Sequence, residues 1–170
     1  AQYRSSLAWS EDLLKQHKAS LDRLYGALDT SSSETSVNYQ GLDADAYPEA
    51  VLNALADDLN TPEALAAMHQ IASEIHRTTD DAERQRLQRE LLAGGWLLGL
   101  LTQPATEYFQ ADSALDPAAI EARISARNEA RANKDYAGAD AIRDELLAAG
   151  IELEDTREGT RWKVIGKPTD

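Results

Sequence analysis

The sequence predicts a mainly α protein: an antiparallel helical bundle followed by a small helix–helix–β-hairpin module of mixed α/β character. Three observations predict it. Ala, Leu, Glu, Asp and Arg are abundant while Val, Ile, Phe and Thr are scarce, which favours helix over strand. Apolar residues recur at helical spacing in successive runs separated by capping and breaking residues. After Gly150 the period drops from helical to two.

Ser10-Glu11-Asp12 opens the first helix, since a serine oxygen can accept from free backbone N–H groups and two acids meet the positive end of the helix dipole. Leu13, Leu14, His17, Leu21, Leu24, Tyr25 and Leu28 continue it. The polar run from Thr30 to Ser36 has little to bury and reads as a loop. A second helix follows Pro48, with Val51, Leu52, Leu55 and Leu59 as its apolar stripe. Thr61-Pro62-Glu63 starts a third, with threonine as the cap and Leu65, Met68, Ile71, Ala72 and Ile75 facing inward. Asp80 or Asp81 opens a fourth through Leu87, Leu91, Leu92, Trp96, Leu97 and Leu100. Gly94-Gly95 within it costs about 1 kcal/mol of helix propensity per glycine. That points to a kink or to the close approach of a neighbour. Four such helices with short connections make an antiparallel bundle.

Residues 103–116 read as a linker between a bundle over 1–102 and a small domain over 117–170. Asp116-Pro117 starts a helix to about Asn133 with Ile120 and Ile124 inward, and Asp135 caps a shorter one through Tyr136, Ala139, Ile142, Leu146 and Leu147. Gly150 ends it where a left-handed residue is needed. Ile151, Leu153 and Asp155 then alternate with Glu152 and Glu154, and Arg161, Lys163 and Ile165 with Trp162 and Val164, around a glycine-containing turn. This hairpin must pack on the preceding helices, because a lone hairpin is marginal in water.

The 170 residues suffice for one domain or one with an appendage, and 42% hydrophobic content supports a real core. No apolar run approaches the roughly 18 residues of a membrane span, and no secretory leader is visible. Cysteine is absent, which removes disulfides, thiolate metal ligands and thiol nucleophiles together. His69 and His76 share a helix face but lack zincin spacing, so no metal is expected. No GxGxxG, Walker, GxSxG or HExxH sequence occurs, and no catalytic residue is assigned.

The net charge of −13 taken alone opposes nucleic acid. Its distribution does not: residues 117–170 carry only −2, against −11 for the rest. Within this tail Arg127, Arg131 and Lys134 fall on one helical stripe that Arg123 extends, with Tyr136 just beyond, and Arg161-Trp162-Lys163 interleaves an aromatic with two cations. Planar rings beside cations suit unpaired bases. A solvated face of ion pairs, with a tryptophan anchoring the hairpin, explains the same residues without RNA. On the residues alone that plainer account weighs more.

Several segments, in order, resemble cysteinyl-tRNA synthetases. Tyr3-Arg4-Ser5-Ser6-Leu7 and Leu21-Asp22-Arg23-Leu24-Tyr25 look like the stretch after the catalytic KMSKS region of that family. Ala56-Asp57-Asp58-Leu59-Asn60-Thr61-Pro62-Glu63-Ala64-Leu65 is similar to its "DDxNTPxAL" junction, and Leu98-Gly99-Leu100-Leu101 with Tyr108-Phe109 to its "LGLL…YF" stretch. In the tail, Arg127-Asn128-Glu129-Ala130-Arg131, Lys134-Asp135-Tyr136, Ala139-Asp140 and Gly159-Thr160-Arg161-Trp162 carry the likeness.

The resemblance implies a DALR-type helical bundle and a small anticodon-binding domain that reads the G, C and A of the cysteine-tRNA anticodon. It implies base contacts for Arg131, Asp140 and Asp155, with Tyr136 where an aromatic, often tryptophan, stands. Arg127, Lys134, Arg161 and Trp162 complete the candidate interface, although Trp162 suits hairpin packing better than base contact. The resemblance further implies cysteine tRNA and a catalytic half as partners, a cytoplasmic location, and ATP and zinc in the parent enzyme but not in this chain. HIGH, KMSKS and cysteine are all missing, so the chain is expected to be a fragment that does not aminoacylate alone. The rival expectation is a free-standing acidic helical adaptor without RNA binding. A resemblance to the cysteine ligase of mycothiol synthesis is confined to the catalytic half, and residues 117–170 argue against it.

Overall fold

Among the described residues, helices come first and a β-hairpin last. The computed structural model describes residues 10–28, 46–111, 113, 115–156 and 159–165. Over these it contains α1 (Glu11–Leu28), α2 (Glu49–Ala56), α3 (Thr61–Arg77), α4 (Asp81–Leu98), α5 (Ala105–Gln110), α6 (Pro117–Ala132) and α7 (Tyr136–Ala148), then β1 (Ile151–Thr156) and β2 (Gly159–Val164). The expected loop at 30–36 and the motif at 3–7 lie outside the described residues, as do Arg157 and Glu158 of the turn. The chain divides into two compact units, Ala1–Ala105 and Thr106–Asp170. The stretch 103–116, read as a linker, contains the short α5.

In the first unit α3 is the central element and packs against α1, α2 and α4. Its buried Ala64, Ala67 and Ala72 let neighbours come close around Met68, Ile71 and Ile75. The helix starts follow local chemistry. Ser10 Oγ accepts from Leu13 N–H at 3.2 Å, and Asp80 caps α4 by accepting from Glu83 N–H at 3.0 Å. The cap of α3 is Asn60 rather than Thr61: its side chain accepts from Glu63 N–H at 3.4 Å, while Thr61 and Pro62 form the first turn. Asn60 reaches that position because Asp58 and Leu59 both adopt left-handed backbone, φ 50° and 54°, and reverse the chain after α2.

That reversal corrects the α2 stripe. Leu59 leaves the helix and is half exposed, as is Leu52, so Val51 and Ala54 carry the buried face. Trp96 is corrected too, being 53% exposed with its ring edge-on to Tyr47 at 6.2 Å between centroids. Leu100 lies beyond α4. Its N–H donates to Gly95 O at 2.8 Å, Gly99 N–H donates to Trp96 O at 3.2 Å, and Gly99 is left-handed at φ 67°, a Schellman ending. Close approach accounts for the glycine pair. A Cβ on Gly94 would stand 3.1 Å from Pro48 Cγ, and one on Gly95 would stand 2.9 Å from Leu101 Cδ1 and 3.1 Å from Leu100 O. No described helix is long and apolar enough to cross a membrane.

In the second unit Asp116 caps α6 through Ala118 N–H, and Asp135 caps α7 through Gly138 N–H, both at 3.0 Å. Gly150 closes α7 at φ 83°. The hairpin is antiparallel, pairing Ile151 with Val164, Leu153 with Trp162 and Asp155 with Thr160. Those residues share one face of the pleat. Ile151, Leu153 and Trp162 are buried there with Ile120, Ile124 and Leu146, and Ile142 and Val164 pack at the margin. Tyr136 and Leu147, expected along the α7 stripe, are exposed instead. The other hairpin face is charged: Glu152 pairs with Lys163 at 2.9 Å, and Glu154 stands opposite Arg161.

Candidate functional site

The cations expected to form one solvated stripe are separated by the fold. Arg123 forms an ion pair with Glu145 of α7. Arg127, one turn on, points into the unit and is only 6% exposed. Its two terminal nitrogens donate to the two oxygens of Asp155 at 2.9 and 2.8 Å, a bidentate fork across 28 residues of sequence. Arg131, another turn on, is half exposed and donates one Nη to Asp155 Oδ2 at 2.8 Å. Lys134 is off the stripe altogether, because α6 ends at Ala132 and Lys134 takes φ 61° in the turn to α7.

Asp155 is thus the centre of the arrangement. The hairpin register brings Thr160 opposite it on the same face, and Thr160 Oγ1 donates to Asp155 Oδ1 at 2.9 Å. Each carboxylate oxygen now accepts twice. A carboxylate offers about four lone-pair directions, so all are in use. Hydrogen bonding from Arg127 holds the Asp155 carboxyl well below the usual carboxylate range, with Thr160, the Arg127 charge and Arg131 adding to it against partial desolvation. The same fork pushes the Arg127 guanidinium up, with the charge of Asp140 as a smaller contributor.

A depressed folded value contributes stability that is complete above the ordinary unfolded value of about 3.9 and is lost as pH falls through the folded one. The second unit should therefore lose stability on acidification below about pH 4. Asp155→Asn should flatten that dependence, as acid titrations followed by amide hydrogen exchange in β1 and α6 would show. An unchanged slope in the variant would remove Asp155 as its source.

Of the candidate residues, the fold brings together Arg127, Arg131 and Asp155. Asp140 is exposed on α7, one turn after Tyr136, and Tyr136 is 63% exposed at the start of that helix, just past the turn that follows Arg131. Arg161 lies on the opposite, charged face of the hairpin. Trp162 is 6% exposed in the core, its indole Nε1 donating to Glu121 Oε1 at 2.8 Å. Sequence reading missed Thr160 and Glu121. Thr160 could have been found by fixing a two-residue hairpin connection, which puts 155 and 160 opposite each other on one face. Nothing local marks Glu121.

Comparison with known proteins adds to this geometry. Residues 50–102 match the family model of the DALR domain, and residues 116–162 match that of the cysteinyl-tRNA ligase anticodon binding domain. The chain is 45% identical over 168 residues to a cysteine–tRNA ligase of Xanthomonas campestris, covering 96% of this chain and 34% of that protein. The chain belongs to the cysteinyl-tRNA ligase family. It is also 43% identical over 164 residues to a cysteine–tRNA ligase of Paramagnetospirillum magneticum and 44% over 166 residues to one of Haemophilus influenzae, in each case 35% of the relative's length. It thus spans about a third of the length of these curated ligases and corresponds to a C-terminal portion of them. Within the family frame, α2 to α4 fall in the DALR match, and the Arg127–Asp155–Arg131 cluster falls in the anticodon-domain match. The adaptor reading is not favoured by these matches.

Proposed function

We propose that the chain binds tRNA through its second unit and reads the anticodon of cysteine tRNA, as the RNA-binding part of an enzyme that joins cysteine to that tRNA. The observation that carries this is the half-exposed Arg131 guanidinium held by one hydrogen bond to Asp155. An arginine offers a rigid fork of donors to base acceptors, and a carboxylate accepts from base amino and imino groups, so the pair supplies both halves of a base-edge code. Asp140 gives a second exposed carboxylate on α7, and Tyr136 a ring on which a splayed base can stack. Lys134 and Arg161 suit backbone phosphates, which position RNA without reading it. Trp162 serves the core.

ATP and zinc are assigned to the part of the relatives that this chain does not span. The chain has no cysteine, and among the described residues no group of three or more His, Asp and Glu could hold a metal ion. A cytoplasmic location is proposed on the same family grounds.

The test is binding of the chain to a cysteine-tRNA anticodon stem-loop and to one with a changed anticodon, at several salt concentrations. The cognate loop should bind more tightly, and affinity for both should fall with salt. Arg131→Ala should cost the cognate loop roughly tenfold or more. Equal affinity of the unaltered chain for both loops would defeat base reading.

A further inference from the structure

We infer that Arg127 is a positioning residue for anticodon reading: it touches no RNA itself but anchors Asp155 while RNA displaces Arg131 from the same carboxylate. The inference rests on the base-reading role proposed above and adds to it a division of labour between two arginines one helical turn apart.

The division follows from occupancy and burial. Asp155 accepts twice at Oδ1, from Arg127 and Thr160, and twice at Oδ2, from Arg127 and Arg131. With every lone-pair direction filled, it can accept from a base amino or imino group only if one donor leaves. Arg127 is the worst candidate to leave. It is bound through two parallel hydrogen bonds, and its side chain is 7% exposed against 48% for Arg131. A departing Arg127 would remain charged inside the unit without its counter-ion, whereas Arg131 would enter water. Thr160 is fixed by the hairpin register, directly across from Asp155. Arg131 holds one bond and is half in solvent, so it yields.

One displacement then serves both groups. The oxygen that Arg131 vacates accepts from a base, and the freed guanidinium fork turns to a base acceptor or phosphate nearby. Arg127 keeps the carboxylate ionised and aimed throughout. Lysine at this position would keep the charge but not the fork, leaving Asp155 free to rotate. The sequence conceals this, because Arg127 and Arg131 look like two equal members of a cationic stripe.

The experiment measures affinities of the full chain and of Arg127→Lys for the cognate stem-loop and for one with a changed anticodon. Discrimination between the loops should fall about tenfold in the variant. Affinity for the changed loop should stay near that of the unaltered chain. A residue that merely supports the fold would lower both affinities by one factor, so an unchanged ratio overturns the inference while leaving base reading intact. Equal affinity of the unaltered chain for both loops overturns base reading and this inference with it. If the variant does not fold, NMR of the arginine side-chain N–H groups in the unaltered chain decides. On adding cognate stem-loop, Arg131 resonances should shift while those of Arg127 keep their positions and slow exchange. Arg127 moving as far as Arg131 would overturn the anchoring role.

Discussion

Asp155→Ala is expected to lower the stability of the second unit by about 2–3 kcal/mol, mainly because it leaves Arg127 charged and unpaired inside the unit. Removing one partner of a fully buried pair typically costs about 3–5 kcal/mol, and the lower figure is used because Asp155 itself is half exposed and water can reach the site. The unit holds about 65 residues, for which a total stability of roughly 3–10 kcal/mol is ordinary. The substitution thus consumes a large share of it. Amide hydrogen exchange is the suitable measurement, since it reports the two units separately where a single melting curve would merge them. Protection should fall in α6, β1 and β2 and be retained in α3 and α4. Arg131→Ala is the control, because its side chain is half in solvent and its loss strands no buried charge. Equal losses for Asp155→Ala and Arg131→Ala would show that burial of Arg127 is not the source.

Trp162→Ala is expected to unfold the second unit. Deleting a buried aromatic side chain costs about 3–5 kcal/mol through lost transfer energy and the cavity left behind. Trp162 sits among Ile120, Ile124, Leu146, Ile151 and Leu153, the buried apolar cluster of this unit. A small unit has no second core to compensate. Trp162→Phe should separate ring from indole, keeping most of the packing and losing the bond to Glu121, worth about 1 kcal/mol. Trp96→Ala, by contrast, should change stability by less than about 0.5 kcal/mol, since that ring is exposed. Denaturant titrations followed by the backbone amide resonances of β1 and α6, with α3 amides as internal reference, would rank the three. A folded hairpin in Trp162→Ala would contradict the placement of the core.

The local parts of this fold were readable because their causes are local. Ser10, Asp80, Asp116 and Asp135 cap the helices they precede, and Gly150 adopts the left-handed backbone that ends α7. Each involves residues within a few positions of one another. Leu59 was misjudged because helical spacing continues past the point where the chain reverses, and neither Asp58 nor Leu59 is a glycine that would have marked the left-handed backbone there. Trp96 was misjudged because periodicity gives a face but not which end of it a neighbour covers. The candidate site divides in the same way. Arg131 and Asp155 were named from residue type and family likeness. The fork from Arg127 to Asp155 joins positions 28 apart, and the bond from Trp162 to Glu121 joins positions 41 apart. Only the packing of the hairpin on α6 creates those pairs, so cationic spacing on one helix could not separate a buried anchor from an exposed reader.

The outer face of the hairpin has one more consequence. A sheet of two strands is all edge, since among the described residues neither β1 nor β2 has a second partner strand. Unpaired strand edges are templates on which further chains can assemble. Here the exposed side alternates Glu152 and Glu154 on β1 with Arg161 and Lys163 on β2. A copy of β1 laid antiparallel along β1 would set acid against acid, and a copy of β2 along β2 would set base against base, both unfavourable. The signs are matched within the molecule and mismatched between identical edges of two molecules, which disfavours pairing of two copies through the same edge.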